Sequence, residues 1–330
     1  MRNCGKQRKR LMTEIKLNQT VTDLLSTANS LYPGNISVRF GDTKAGYVRH
    51  DQAQQVLDDG DLTVRVSDIT APNYTASHEL LHLLLLLQGF PQITFNLTTR
   101  DQQLDEQLMA IAMELYDMVS HVLVVRKQRE HNLIDEQIET LYMQGVAATI
   151  EPEPAGKADA MMTLRLLTLT DLLVFFNGEL PADDLQKVTT AYPQAWPAAQ
   201  KLYAVISQKP VDTPFAMRCA VVKLFKAFDD QMTAWHLPVL HGTEFVTVQS
   251  VLSERQERLE VRQLFDVYHS DLLDKNKHTR AYIGLYKSDR QNAFVLPAPA
   301  QKKSDAFFKE VYDKTVKELF QEMNLPYTLR

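Results

Sequence analysis

Hydrophobic and polar positions change their rhythm several times along this chain. Residues 19–32 repeat with a helical period and stop at Pro33-Gly34-Asn35, which predicts a first helix. Short β-like runs follow at 36–40, 46–49 and 62–66, separated by the turn residues Gly41-Asp42 and Asp58-Asp59-Gly60-Asp61. The run Leu62-Thr63-Val64-Arg65-Val66 alternates strictly, as a half-buried strand does. Residues 75–88 form an apolar helix ended by Gly89 and Pro91, 93–97 is a further strand, and 104–130 is one long helix. Beyond it, 132–145, 158–177, 182–207, 213–235 and 251–268 carry helical spacing. Residues 281–286 and 292–297 flank a turn as a hairpin, and a last amphipathic helix covers 304–323.

These elements predict a helix-dominant α+β fold. A small N-terminal mixed sheet packs on a buried apolar helix, and a mostly helical region completes a cleft. The segment EPEPAGK at 151–157 combines prolines, a glycine and charge, so it is the expected linker. The expected division is residues 1–11 as a disordered extension, 12–150 as an α/β domain, and 151–330 as a mostly helical region with the hairpin.

Composition narrows the class. With 330 residues and 45% apolar content, the chain can bury a real core, which excludes a disordered protein. The longest apolar run, Leu83 to Leu87, is too short to span a bilayer. Cys4 and Cys219 cannot build a disulfide scaffold and fit a reducing compartment. The net charge of −5 argues against a general nucleic-acid binder. Arg2, Lys6, Arg8, Lys9 and Arg10 give the first eleven residues +5, so the rest carries −10 (31 basic against 41 acidic). Met12 opens an ordinary-looking start, which makes the basic stretch an upstream extension; an anion-binding arm is the alternative. No apolar segment follows it as in a secretory signal. The expectation is a cytoplasmic protein that engages neither membrane nor nucleic acid.

One segment carries chemistry. His78-Glu79-Leu80-Leu81-His82 is an HExxH sequence. Residues four apart on a helix differ by about 40° around the axis and about 6 Å along it, so both imidazoles can bind one ion. Glu79 lies about 100° round from His78 and can reach a water held there. Zinc lowers the pKa of such a water and a carboxylate takes its proton, which suits hydrolysis of a carbonyl compound. A shuffled chain of this composition contains HExxH with a probability on the order of 1%, so context decides. The flanking leucines make the helix apolar nearly all round, and buried histidines on it need partners. Paired core histidines without a metal are the plainer alternative.

A catalytic zinc site needs a third protein ligand. Glu114, Asp117 and His121 fall at i, i+3 and i+7 on the next helix, one polar stripe in an apolar segment. One of them is the candidate ligand, and the others are candidates to hydrogen-bond the ligating histidines.

HELLHLLLLLQGFP followed by a long helix with a late histidine resembles the zincin superfamily of metallopeptidases over roughly residues 60–130. More narrowly it is similar to bacterial predicted metallohydrolases with HELLH, a Gly-aromatic-Pro turn and a histidine on the following helix. That resemblance implies Zn²⁺ held by His78, His82 and His121, Glu79 as general base, and a peptide or protein substrate. The gluzincin branch instead implies Glu114 as third ligand. Gln88 stands where the longer metzincin motif has histidine, which excludes that branch. The whole chain also resembles Gram-positive bacterial proteins labelled IpaB/EvcA-like, which implies a host-interaction role. Neither Trp196 nor Trp235 is followed by the glutamate of the WxxxE effector motif. A non-catalytic binding or regulatory protein on a zincin-like scaffold is the remaining alternative.

Overall fold

The computed structural model describes residues 15–154, 159–299 and 304–330. The expected extension at 1–11 and part of the expected linker lie outside the described residues. The fold is helix-dominant α+β.

In the N-terminal part, α1 (Gln19–Leu31) is capped by the Asn18 side chain, which accepts from the Val21 N–H. Three strands follow, β1 (Ile36–Thr43), β2 (Ala53–Asp58) and β3 (Asp61–Asp68). They form a mixed sheet of order β1-β3-β2, with β3 parallel to β1 and antiparallel to β2. Leu62, Val64 and Val66 of β3 are buried. They pack with Val21 and Leu24 of α1 against Leu80 and Leu84 of α2 (Pro72–Leu87). Pro72 begins α2, where a missing N–H costs nothing.

Strand β2 has no counterpart in the sequence pattern, and the strand expected at 46–49 is irregular. The physical reason is that β2 is an edge strand with few buried positions and with Leu57 exposed, so it shows no clear alternation. Asp59 and Gly60 both adopt positive φ, the requirement of a two-residue hairpin turn into β3.

After β4 (Ile93–Thr94) and β5 (Leu97–Thr98) comes α3 (Gln102–Glu130), capped by Asp101. Among the described residues it is the one helix long and apolar enough to cross a membrane on length and composition alone. In this fold it packs between α2, α5 (Met162–Phe175) and α8 (Pro214–Ala234). The helices α4 (Glu136–Thr149), α6 (Ala182–Ala191) and α7 (Ala195–Ser207) complete the helical layer. The single helix expected over 182–207 breaks at Tyr192, because Pro193 pushes the residue before it out of the helical region.

The chain ends in α9 (Gly242–Phe245), β6 (Thr247–Val248), β7 (Ser250–Leu252), α10 (Glu254–Glu257), α11 (Val261–Leu264), β8 (Phe265–Asp274), β9 (Arg280–Tyr286), β10 (Asn292–Pro297), α12 (Ser304–Asp313), α13 (Val316–Glu322) and β11 (Tyr327–Leu329). The expected β9–β10 hairpin is present. The helix expected over 251–268 is not: two one-turn helices lead into β8, which pairs with β9 along its length. Short apolar runs fit either period, and pairing to β9 decides this one. The helix expected over 304–323 is two, since Thr315 starts α13 with a reciprocal cap to Glu318.

The two halves are interleaved. Strand β5 adds to a four-stranded sheet of order β10-β9-β8-β5, and the largest core cluster runs from Val48 to Val295. Glu153 accepts from the backbone N–H groups of Gln194 and Ala195, which holds the segment after α4 to the start of α7.

Candidate metal centre

The site lies where α2 faces α3. Gln128 on α3 is fully buried and donates to the Ser77 hydroxyl (2.9 Å) and the Tyr74 carbonyl (3.0 Å). The Tyr116 hydroxyl donates to the Pro91 carbonyl at 3.0 Å, just past the end of α2. These bonds fix the register of the two helices. His121, seven residues before Gln128, therefore meets the HExxH helix, with ring centroids 4.8 Å from His78 and 5.1 Å from His82. The Nε2 atoms of His78 and His82 face each other at 3.2 Å.

A fourth imidazole joins them. His50 sits in the turn between β1 and β2, with its ring 4.3 Å from His78 and 4.2 Å from His121. One carboxylate on α5 reaches two of the four rings. Asp171 accepts from His121 Nδ1 at 2.6 Å and from His50 Nδ1 at 2.9 Å, and also from the Tyr142 hydroxyl at 2.8 Å. An ionised carboxylate only accepts, so both imidazoles carry a proton on Nδ1 and turn Nε2 outward from Asp171. Tyr142 stacks on Phe175 with centroids 3.8 Å apart, which ties α4 to the end of α5.

Electrostatics follow from this packing. Burial holds His78 and His82 well below the ordinary imidazole range, and the other histidines add to the effect. His121 is lowered too, chiefly by burial, with Asp171 opposing. His50 goes the other way: burial lowers it, but Asp171 outweighs burial and raises it. Asp171 is held well below the carboxylate range by His121 and His50, against its own burial. Glu79 is raised by burial, opposed by the Gln55 amide, which donates to its carboxylate at 3.3 Å. Asp117 is pushed up to about 8 by burial, then by Glu114 and Asp171.

A cavity of about 370 Å³ opens onto His50, His78, Glu79, His82, Glu114, Asp117 and His121. A second cleft of about 470 Å³, bounded by α4 and α5, shares His50, Asp51 and Glu114 with it. Every residue proposed from sequence thus lines one cavity, but not in equivalent positions. His78, His82 and His121 bring their rings together. Glu114 and Asp117 make no hydrogen bond or ion pair with a histidine among the described residues. The carboxylate that orients the imidazoles is Asp171, from the far half of the chain, rather than Asp117.

Sequence reasoning missed His50, Asp171 and Tyr142. Asp171 left a signal, as the one acid in the apolar helix MTLRLLTLTDLLVF. His50 left none, because a histidine in a polar turn is unremarkable until the fold carries it inward. Of the remaining histidines, His269 lies on β8, and His236, His241 and His278 take positive φ in connecting segments.

The donor set fits a metal ion. Tetrahedral zinc with nitrogens at 2.0–2.1 Å holds them about 3.3 Å apart, close to the spacing of the two HExxH Nε2 atoms. Ligating imidazoles must be neutral, and burial keeps His78, His82 and His121 so. His78 is buried, and its Nδ1, the ring nitrogen away from the Nε2 that faces His82, has no hydrogen-bond partner. No protein-family model, curated protein or solved structure matches the chain.

Proposed function

We propose that the chain is a zinc-dependent hydrolase whose substrates are peptides or proteins. The observation that carries this reading is the cluster itself: the HExxH imidazoles meet at 3.2 Å, His121 stands against both, and Glu79 borders the same cavity. His78, His82 and His121 would hold the ion, with Asp171 keeping the His121 tautomer that offers Nε2. A bound zinc ion supplies Lewis acidity at that point. Glu79 accepts the proton of the attacking water and returns it to the leaving group. Its raised affinity for protons suits that task, since a base works best when its pKa approaches the working pH. Gln55 keeps the carboxylate on the cavity wall.

The test joins elemental analysis with one substitution. Protein purified without chelator should hold about one zinc per chain, and His78→Ala should lose it. Glu79→Gln should keep the metal and lower hydrolysis of a peptide library by about 10²–10⁴-fold, the range of a lost general base. Metal that is neither present nor taken up at neutral pH ends the reading. Unchanged turnover in Glu79→Gln removes that residue from the mechanism.

A second reading is a non-catalytic metal centre on the same scaffold. It is favoured by the presence of four imidazoles, because a set of four protein ligands closes a zinc site while three leave a position open. Tight zinc binding without hydrolysis of any peptide would select it.

A further inference from the structure

We propose that His50 is a ligand of the metal ion and forms, with His78 and His121, a three-imidazole site for a divalent first-row cation in which it takes the place given above to His82. The inference rests on the metal-binding part of the reading above and adds a residue that the HExxH motif does not contain. Its basis is geometric. One nitrogen from each of His50, His78 and His121 lies within 4.8 Å of the others. The His50 ring is nearer to His78 and to His121 than the His82 ring is. The His78–His121 pair is therefore flanked by two further imidazoles, His82 with its Nε2 3.2 Å from that of His78 and His50 stacked on the His78 ring. Asp171 holds the Nδ1 side of both His50 and His121, the arrangement in which a carboxylate behind a histidine fixes the tautomer and aims the other nitrogen at a metal. Among the described residues, His82 has no carboxylate partner. The remaining contact of His50 is weak: its Nε2 lies 3.3 Å from the Tyr74 hydroxyl, at the long end of a hydrogen bond. Three imidazoles leave one coordination position open, so this ligand set is compatible with hydrolysis.

The experiment uses the wild-type chain with ¹⁵N-labelled histidine, loaded with ¹¹³Cd in place of zinc. Scalar coupling to the metal identifies each ligating nitrogen without any assay of activity. His50 should be among the coupled resonances, assigned by its disappearance in His50→Ala. Coupling of His82 as well as the other three overturns the three-imidazole set and selects the closed, non-catalytic centre. Coupling at His78, His82 and His121 with His50 uncoupled overturns it while leaving the hydrolase reading in place. A chain that binds no cadmium or zinc overturns both. His50→Ala should also weaken zinc binding by more than about 100-fold, beyond the 10–100-fold cost of losing an outer partner. A smaller loss overturns the assignment.

Discussion

At the scale of single residues, the site holds three histidines that burial keeps uncharged, a fourth that an acid pulls the other way, and that acid, which burial cannot neutralise. Asp171 stays ionised because two imidazoles and a tyrosine hydroxyl surround it. Asp171→Asn offers a single accepting oxygen and two N–H donors in its place, so one imidazole loses the bond that fixes its tautomer. Zinc affinity, measured by competition with a chelating dye, should fall about 10–100-fold. Each of these groups contributes to the pH dependence of the metal-free protein with a definite sign. His78, His82 and His121 are lowered in the folded state, so below about pH 6.5 the unfolded chain takes up protons that the folded chain refuses. Stability is therefore lost as the pH falls through that range. His50, raised, opposes this, and so do the carboxyls of Asp117, Glu79 and Glu114, all raised in the folded chain. Urea denaturation of the metal-free chain at pH 7.5 and pH 5.5 isolates one of these groups: the wild-type midpoint should lose more stability on acidification than that of His82→Gln, which lacks the lowered imidazole. An equal response of the two chains to pH would mean that the fold does not hold His82 neutral.

At the scale of elements, α2 is the part that the sequence describes best. Its apolar surround and HExxH spacing are local properties, and the helix occupies Pro72–Leu87 where residues 75–88 were expected. The turn that carries His50 is positioned by something non-local. The Val48 N–H donates to the Leu141 carbonyl on α4, and Gly145 lies so close beneath the turn that a Cβ there would run into the Val48 carbonyl oxygen. Gly145→Ala should push the turn off α4. The expected cost is about 1–3 kcal/mol of stability, as for an overpacked site, together with weaker metal binding through the displaced His50. Thermal denaturation and zinc titration of the same variant would check both. Gly46→Ala, in the same connection but with open space around it, separates backbone strain from this steric effect, since Gly46 has φ of +82°. The helix expected over 251–268 shows the limit of local pattern. Phe265 and Val267, two residues apart, have the spacing of one strand face and pair with Tyr286 and Gly284 of β9.

At the scale of the molecule, the two halves depend on each other. Asp171 belongs to the region after residue 151, yet it holds His50 and His121 from the region before it. The Tyr142–Phe175 stack and the addition of β5 to the C-terminal sheet cross the same boundary. A chain ending at residue 154 should therefore show no cooperative thermal transition, because much of the largest core would be missing. A sharp transition in circular dichroism, with metal bound, would establish an autonomous N-terminal domain.

The sequence by itself determined the helix-dominant class, the HExxH helix and the stripe of Glu114, Asp117 and His121, because each depends on spacing within one segment and spacing survives without a fold. Tertiary structure decided which of those side chains meet. His121 turns its ring to the HExxH pair because Gln128 locks α3 against α2. Glu114 and Asp117 remain on the cavity wall. His50 and Asp171 joined the cluster from a polar turn and a distant apolar helix, 121 positions apart in the chain. Hydrophobic periodicity reports which face of a segment is buried; it carries no record of which other segment will cover that face, and the covering segments supplied the fourth imidazole and the carboxylate that orients it.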